Sequence, residues 1–183
     1  AVVIAASAVA HFGLARQALL AGKDVYVEKP LVLDVAHGEE LIRLAAERNR
    51  ILMVGHLLEY HPVVLKLREL IRAGELGRVL YVYSQRLNLG TVRQDENALW
   101  SLAPHDISSI LFMLDQSPTD VSARGQCYVQ RDIEDVVFMN MNFGGQAMAH
   151  IHVSWLDPHK IRRITVVGSK RMAVFDDAEG TEK

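Results

Sequence analysis

Ala21-Gly22-Lys23-Asp24-Val25-Tyr26-Val27-Glu28-Lys29-Pro30-Leu31 decides how the first third of the 183-residue chain is read. Gly22 closes a helical segment running from Val9 to Ala21, because glycine takes the left-handed conformation that stops helices. Val25 to Val27 is then a short apolar run that ends on charge and proline. Two more apolar runs flank it, Val2 to Ala6 and Ile51 to Gly55. All three are rich in Val and Ile and lack alternation, the pattern of strands buried on both faces. Between the second and third, Asp34 is placed to cap a helix that carries Leu41, Ile42, Leu44 and Ala45 through to Glu47. Strand–helix–strand–helix–strand in about 55 residues reads as parallel βαβ units. The strands end on Ser7, on Glu28-Lys29-Pro30 and on Gly55-His56. These are the carboxyl ends of parallel strands, where open α/β sheets bind ligands.

From Leu58 onward the pattern changes. Pro62 suits the first turn of a helix with Val63, Val64, Leu67, Leu70 and Ile71 at helical spacing, ending at Gly74. Strands dominate after it: Val79 to Leu87, Val121 to Val129, Val136 to Phe143, Ala147 to Trp155, Ile164 to Val167 and Met172 to Phe175. Gly144-Gly145 marks a hairpin. One helix interrupts them, from about Pro104 to Leu114. The expected fold class is therefore α/β plus α+β, with a parallel half-domain over residues 1–57. A second domain over 58–183 has a large, mostly antiparallel open sheet and helices on one face.

Composition narrows the function. Twenty basic against 22 acidic residues give a formal charge of -2, which offers nothing to attract nucleic acid or an acidic membrane. No run approaches the ~18–20 apolar residues of a membrane span. The lone Cys127 excludes an internal disulfide and a cysteine-built zinc site, and it suits a reducing, cytoplasmic setting. His150 and His152 share a strand face without a carboxylate or thiol to complete a metal site, so no metal is expected. His37 and His159 read as surface residues.

The opening stretch resembles the "aGkhVlvEKPl" segment of the Gfo/Idh/MocA oxidoreductases. Further matches occur in the same order along the chain: Ile4-Ala5-Ala6-Ser7 with His11, Val54-Gly55-His56-Leu57-Leu58-Glu59-Tyr60-His61-Pro62, Gly74-Glu75-Leu76-Gly77-Arg78-Val79, and Pro104-His105-Asp106. The resemblance implies NAD or NADP, with NAD favoured, bound to a Rossmann sheet whose last three strands are those of residues 1–57. The Gly-rich phosphate loop of such sheets has no counterpart here, which leads to the expectation that the chain is a middle segment of a longer protein. Ala6, Ser7, His11, Glu28, Lys29 and His56 are the implied cofactor-binding residues, and the Lys29-Pro30 bond is expected to be cis.

Oxidising a secondary alcohol with a nicotinamide needs a base for the hydroxyl proton and benefits from a cation at the developing alkoxide. The resemblance assigns the cation to Lys29 and the base to His105. Many relatives carry Asp four residues before that histidine; here the position is Ser101. Asp106 is no simple substitute, because adjacent helical residues point about 100° apart. Asn88-Leu89-Gly90 and the stretch from Asn97 to Ser108 look most like the nucleotide-sugar 3-dehydrogenase branch, which oxidises the 3-hydroxyl of a UDP-linked N-acetylated hexose or hexuronic acid. Tyr60, Asn88, Arg93, Trp100 and His105 are the implied substrate contacts. Arg86 and Arg93 can meet a diphosphate or carboxylate, and Trp100 can stack on a sugar. Glu59 stands where Arg is common in the family.

Two other readings stay open: an inositol or free-sugar dehydrogenase, which Ser101 weighs against, and a non-catalytic cofactor- or sugar-binding regulator, which would be expected to have lost Lys29 or His105. Family habit also implies a homodimer or homotetramer through the second domain's sheet, with Phe138, Ile151, Val153 and Trp155 as interface candidates.

Overall fold

The computed structural model describes residues 1–178 other than 91 and 95, and the chain forms two compact units, Ala1–His56 and Leu57–Lys183. The first carries three parallel strands, β1 (Val2–Ile4), β2 (Val25–Val27) and β3 (Leu52–Val54), in the order β1-β2-β3. Helix α1 (Ala8–Leu20) links the first pair and α2 (Val35–Glu47) the second. Gly22 sits at φ +69° behind α1, and the Asp34 carboxylate accepts the Ala36 N–H at 2.7 Å, so the expected stop and cap are both in place. Ile4, Val25 and Val27 are buried with Ala15 and Leu19 of α1 and Leu41 and Ala45 of α2.

Within this chain the strands bury one face. Val3 is 71% and Met53 38% exposed, while the alternate residues enter the core. The two crossover helices pack on each other, as the 2.7 Å Arg16–Glu40 ion pair between them shows. They therefore cover one face of the sheet.

The second unit opens with a 3₁₀ turn (Leu57–Tyr60) and α3 (Pro62–Arg72), with Pro62 in the first turn as its fixed φ favours. A six-stranded sheet follows, built from β4 (Val79–Leu89), β5 (Asp120–Gln126), β6 (Val136–Phe143), β7 (Ala147–Ser154), β8 (Leu156–Gly168) and β9 (Met172–Asp176) in the order β5-β6-β7-β4-β8-β9. Only the β4–β7 pair is parallel. Helix α4 (Ala98–Leu114) packs with α3 on one face, over Val82, Val137, Met139, Met141, Ile151, Val153, Ile164 and Val166.

Three expectations need correcting. Helix α4 begins at Ala98, six residues before Pro104, because Asn97 caps it by accepting the Trp100 N–H at 3.0 Å. Pro104 lies inside the helix and offers no N–H to the Trp100 carbonyl. β8 is far longer than Ile164 to Val167, and its extension pairs with β4 as far as Leu89↔Leu156. Of the proposed interface residues, only Phe138 lies on the open face, at 44% exposure. Ile151, Val153 and Trp155 are buried among the helices, because their strand parity turns them inward.

Candidate active site

In the first unit the strand register does the positioning. Ile4 pairs with Val27 and Val27 with Val54, so Ala6-Ser7, Glu28-Lys29-Pro30 and Gly55-His56 leave the sheet on one edge. The Lys29-Pro30 bond is cis, as the resemblance implied. His11 is 1% exposed; its Nδ1 lies 2.7 Å from the Pro30 carbonyl and its Nε2 3.0 Å from that of Ala6. The ring thus braces the ends of β1 and β2 against each other, and neither nitrogen faces outward. Gly55 carries no side chain where Tyr26 crosses it: a Cβ there would stand 2.5 Å from the tyrosine oxygen. The Tyr26 hydroxyl accordingly reaches over Gly55 and donates to Glu28 Oε1 at 3.5 Å.

Polar capacity at this edge is left for a ligand. His56 Nδ1 is buried with no hydrogen-bond partner among the described residues, and the Ser7 hydroxyl makes no capping bond to α1 although it stands at the N-cap. A buried donor or acceptor without a partner costs roughly 1–3 kcal/mol. These groups fit a polar cofactor laid across the carboxyl ends of the strands.

The second unit holds a cavity of about 230 Å³. Its polar wall is made by Arg86 and Asn88 from β4, Ser101 and His105 from α4, Arg162 from β8, and Asp177 just past β9; Leu57, Leu58 and Leu102 supply the apolar part. Helical geometry explains the α4 contribution, since Ser101 and His105 are four residues apart and share a face. Asp106, one residue on, points elsewhere. It is 1% exposed and takes Arg86 in a two-pronged pair, Nε to Oδ2 at 2.9 Å and Nη2 to Oδ1 at 3.2 Å. Ser84 Oγ donates to the same carboxylate at 2.7 Å. Arg86, expected to meet a substrate anion, is thus already matched by a buried carboxylate.

Of the expected substrate contacts, the cavity gathers Asn88 and His105. Tyr60 is 65% and Trp100 40% exposed, and neither belongs to the described wall. Arg93 lies outside it too, with Nε 3.1 Å from Glu96 and its carbonyl accepting from Gln130. Asn97, besides capping α4, donates to Glu134 at 2.8 Å. Arg162 and Asp177 escaped the sequence reading. The signal for Arg162 is its register opposite Arg86, invisible while β8 is read as four residues. Asp177 reads in sequence as part of an acidic tail.

The three parallel strands with a polar edge and the separate unit with a histidine-lined cavity match two known domains, in this order along the chain. Residues 1–56 match the oxidoreductase family model with the NAD-binding Rossmann fold, and residues 64–174 match the GFO/IDH/MocA C-terminal domain. The chain belongs to the Gfo/Idh/MocA oxidoreductase family. It is 30% identical over 172 residues to UDP-N-acetylglucosamine 3-dehydrogenase of Acidithiobacillus ferrooxidans, covering 93% of this chain and 53% of that one. Inositol 2-dehydrogenase of Salmonella typhimurium is 31% identical over 119 residues, 63% of this chain and 35% of the relative. Among solved structures, GenD2 from gentamicin A biosynthesis, crystallised with NAD, superposes with a TM-score of 0.88 at 28% identity over 95% of this chain and 53% of that one. The chain thus spans about half the length of the nucleotide-sugar relative it matches. Among the described residues, no helix is long and apolar enough to cross a membrane and no group of His, Cys, Asp or Glu is arranged to hold a metal.

Proposed function

We propose that the protein carrying this chain is an NAD-dependent dehydrogenase that oxidises a secondary hydroxyl of a sugar, specifically the 3-hydroxyl of a UDP-linked N-acetylated sugar. The observation that carries the reading is the polar cavity with His105 on its wall, in a chain whose other unit is a Rossmann domain. At about 230 Å³ it lies just below the ~300–1,000 Å³ of drug-sized ligand sites, a size for one sugar ring rather than a whole nucleotide sugar. Asn88 offers both a donor and acceptors for sugar hydroxyls.

In this reading His105 takes the proton of the reacting hydroxyl, and Lys29 supplies positive charge to the oxygen as it becomes an alkoxide. Bound NAD supplies the hydride acceptor. Ala6, Ser7, Glu28, Lys29 and His56 hold it at the strand edge, while His11 keeps that edge in shape. The similarity to the inositol dehydrogenase supports a second reading, oxidation of a cyclitol or free sugar by the same residues.

The test is NADH production by the intact protein on UDP-N-acetylated sugars, myo-inositol and free hexoses, repeated with NADP. Turnover of a nucleotide sugar is expected, with Lys29→Ala and His105→Ala each losing about 10²–10⁴-fold in kcat. Turnover of myo-inositol alone would select the second reading. Full activity in Lys29→Ala would remove the proposed chemistry.

A further inference from the structure

Arg86 is held in place on the cavity wall before any ligand arrives. Asp106 of α4, 1% exposed, accepts Nε on one carboxylate oxygen at 2.9 Å and Nη2 on the other at 3.2 Å, and Ser84 Oγ donates to that second oxygen at 2.7 Å. The pair does not close the guanidinium to the cavity. The Arg86 side chain keeps 11% exposure and lines the wall itself. A guanidinium has donors only. Nε and Nη2 serve Asp106, and the Nη1 donors take no part in that pair.

Two properties follow from this lock. A free arginine side chain loses rotamer entropy when a ligand orders it, whereas Arg86 is already ordered by a buried partner and binds at little further cost. Its charge also stands beside the opposite charge of Asp106, which weakens its pull on an anion and leaves its directed donors intact. Such a group suits an uncharged acceptor better than a phosphate or a carboxylate. An amide carbonyl oxygen only accepts, whereas a sugar hydroxyl can also donate. The acetamide of an N-acetylated sugar supplies that carbonyl and ends in a methyl group. The same cavity offers Leu57, Leu58 and Leu102 as its apolar part. A fixed donor and an apolar surface in one cavity match the two ends of an acetyl group. The lock also ties Arg86 to the residue that directly follows His105, so the donor is fixed relative to the helix that carries the proposed base.

We propose that Arg86 reads the acetamide of the substrate sugar, donating from Nη1 to its carbonyl oxygen while the leucines take its methyl group. It thereby selects an N-acetylated ring over one that carries a hydroxyl at the same carbon. On the nucleotide-sugar reading the acetamide sits on the carbon next to the reacting hydroxyl, so the contact also aims that hydroxyl. The inference rests on that reading and deepens it by naming the residue that chooses the N-acetylated sugar.

The experiment compares UDP-N-acetylglucosamine with UDP-glucose as substrates of the intact protein with NAD, for wild type, Arg86→Lys and the double variant Arg86→Met with Asp106→Ala. Lysine keeps a charge beside Asp106 but lacks the fork that bonds the carboxylate and a ligand together. The double variant leaves no buried charge stranded, and circular dichroism checks that it is folded; if it is not, Arg86→Lys decides alone. Wild type is expected to favour the acetamido sugar by about tenfold or more in kcat/KM. Each variant should lower that ratio by at least about tenfold, chiefly through the KM for UDP-N-acetylglucosamine. A merely structural role would lower both substrates in proportion. An unchanged ratio in either folded variant, or a wild type that takes UDP-glucose as readily, would overturn the proposal. If wild type turns over neither nucleotide sugar, the nucleotide-sugar reading itself falls. Calorimetric binding of free N-acetylglucosamine against glucose then decides the role of Arg86: a preference for the acetamido sugar that Arg86→Lys abolishes upholds it, and an unaltered preference, no preference, or no binding of either rejects it.

Discussion

Asp106 shows how much a single position on a helix decides. It follows His105 directly, yet the ~100° turn between neighbouring helical residues sends the histidine to the cavity and the carboxylate to Arg86 and Ser84 behind it. Sequence reasoning excluded Asp106 as the carboxylate for His105 on that rotation, and the structure supplies its actual work. A buried ion pair owes little net stability to its formation, but removing one partner strands the other. Asp106→Ala is therefore expected to cost about 3–5 kcal/mol in urea denaturation of the intact protein. The double variant Asp106→Ala with Arg86→Met should recover a substantial part of that loss, because no charge is then left unpaired. A double variant as unstable as the sum of the two single changes would show that Arg86 and Asp106 act independently.

At the scale of elements, β7 carries a pH dependence. His152 packs on Phe138 at 4.3 Å between ring centroids, beside His150, which bonds Asn140 at 2.8 Å and stacks on Tyr83. Burial pushes the His152 pKa below its ordinary 6.5, opposed by the Asp157 carboxylate and reinforced by His150. With the folded value depressed, the unfolded chain binds the proton more readily. The stabilising contribution is thus complete above pH 6.5 and is lost as the pH falls through the folded value. His152→Phe should lose less of its urea midpoint than wild type between pH 8 and pH 5; equal losses would remove His152 from the account. Elements such as α2 and β6 are legible because cap, period and parity agree: Asp34, Leu41 and Ala45 in one, the alternating Val137, Met139, Met141 and Phe143 in the other. Those that misled owe their bounds to distant partners. The expected strand through Val129 stops at Gln126 because buried Asp135 accepts the N–H groups of Tyr128 and Val129 at 2.6 and 2.8 Å. The part of β8 before Ile164 went unread because its polar stretch gains strand geometry only from the sheet around it. Two of the six polar residues of the cavity wall were hidden for the same reason: Asn88 and His105 sit in motifs, whereas Arg162 and Asp177 reach the wall through β8 and β9.

For the whole molecule, the consequence lies in what the helices leave uncovered. With α3 and α4 on one face of the six-stranded sheet, the other presents Tyr81, Phe138, Met148 and Val174 at 44%, 44%, 45% and 51% exposure. Apolar side chains gathered on one sheet face are the mark of an interaction surface. We propose that a second copy of the protein covers it, giving the homo-oligomer that the family resemblance implies. Residue parity makes the test selective. Phe138 and Val153 lie on neighbouring strands but on opposite faces, one half-open and the other 0% exposed. Phe138→Asp should bring the sedimentation mass of the intact protein down toward one chain while circular dichroism stays that of the folded protein. Val153→Asp puts a charge into the core instead, where an unpaired ionised group is costly, and should unfold the second unit at any concentration. If Phe138→Asp sediments with wild type at every concentration, this face is not where copies meet. If wild type is already a single chain, there is no such assembly to explain.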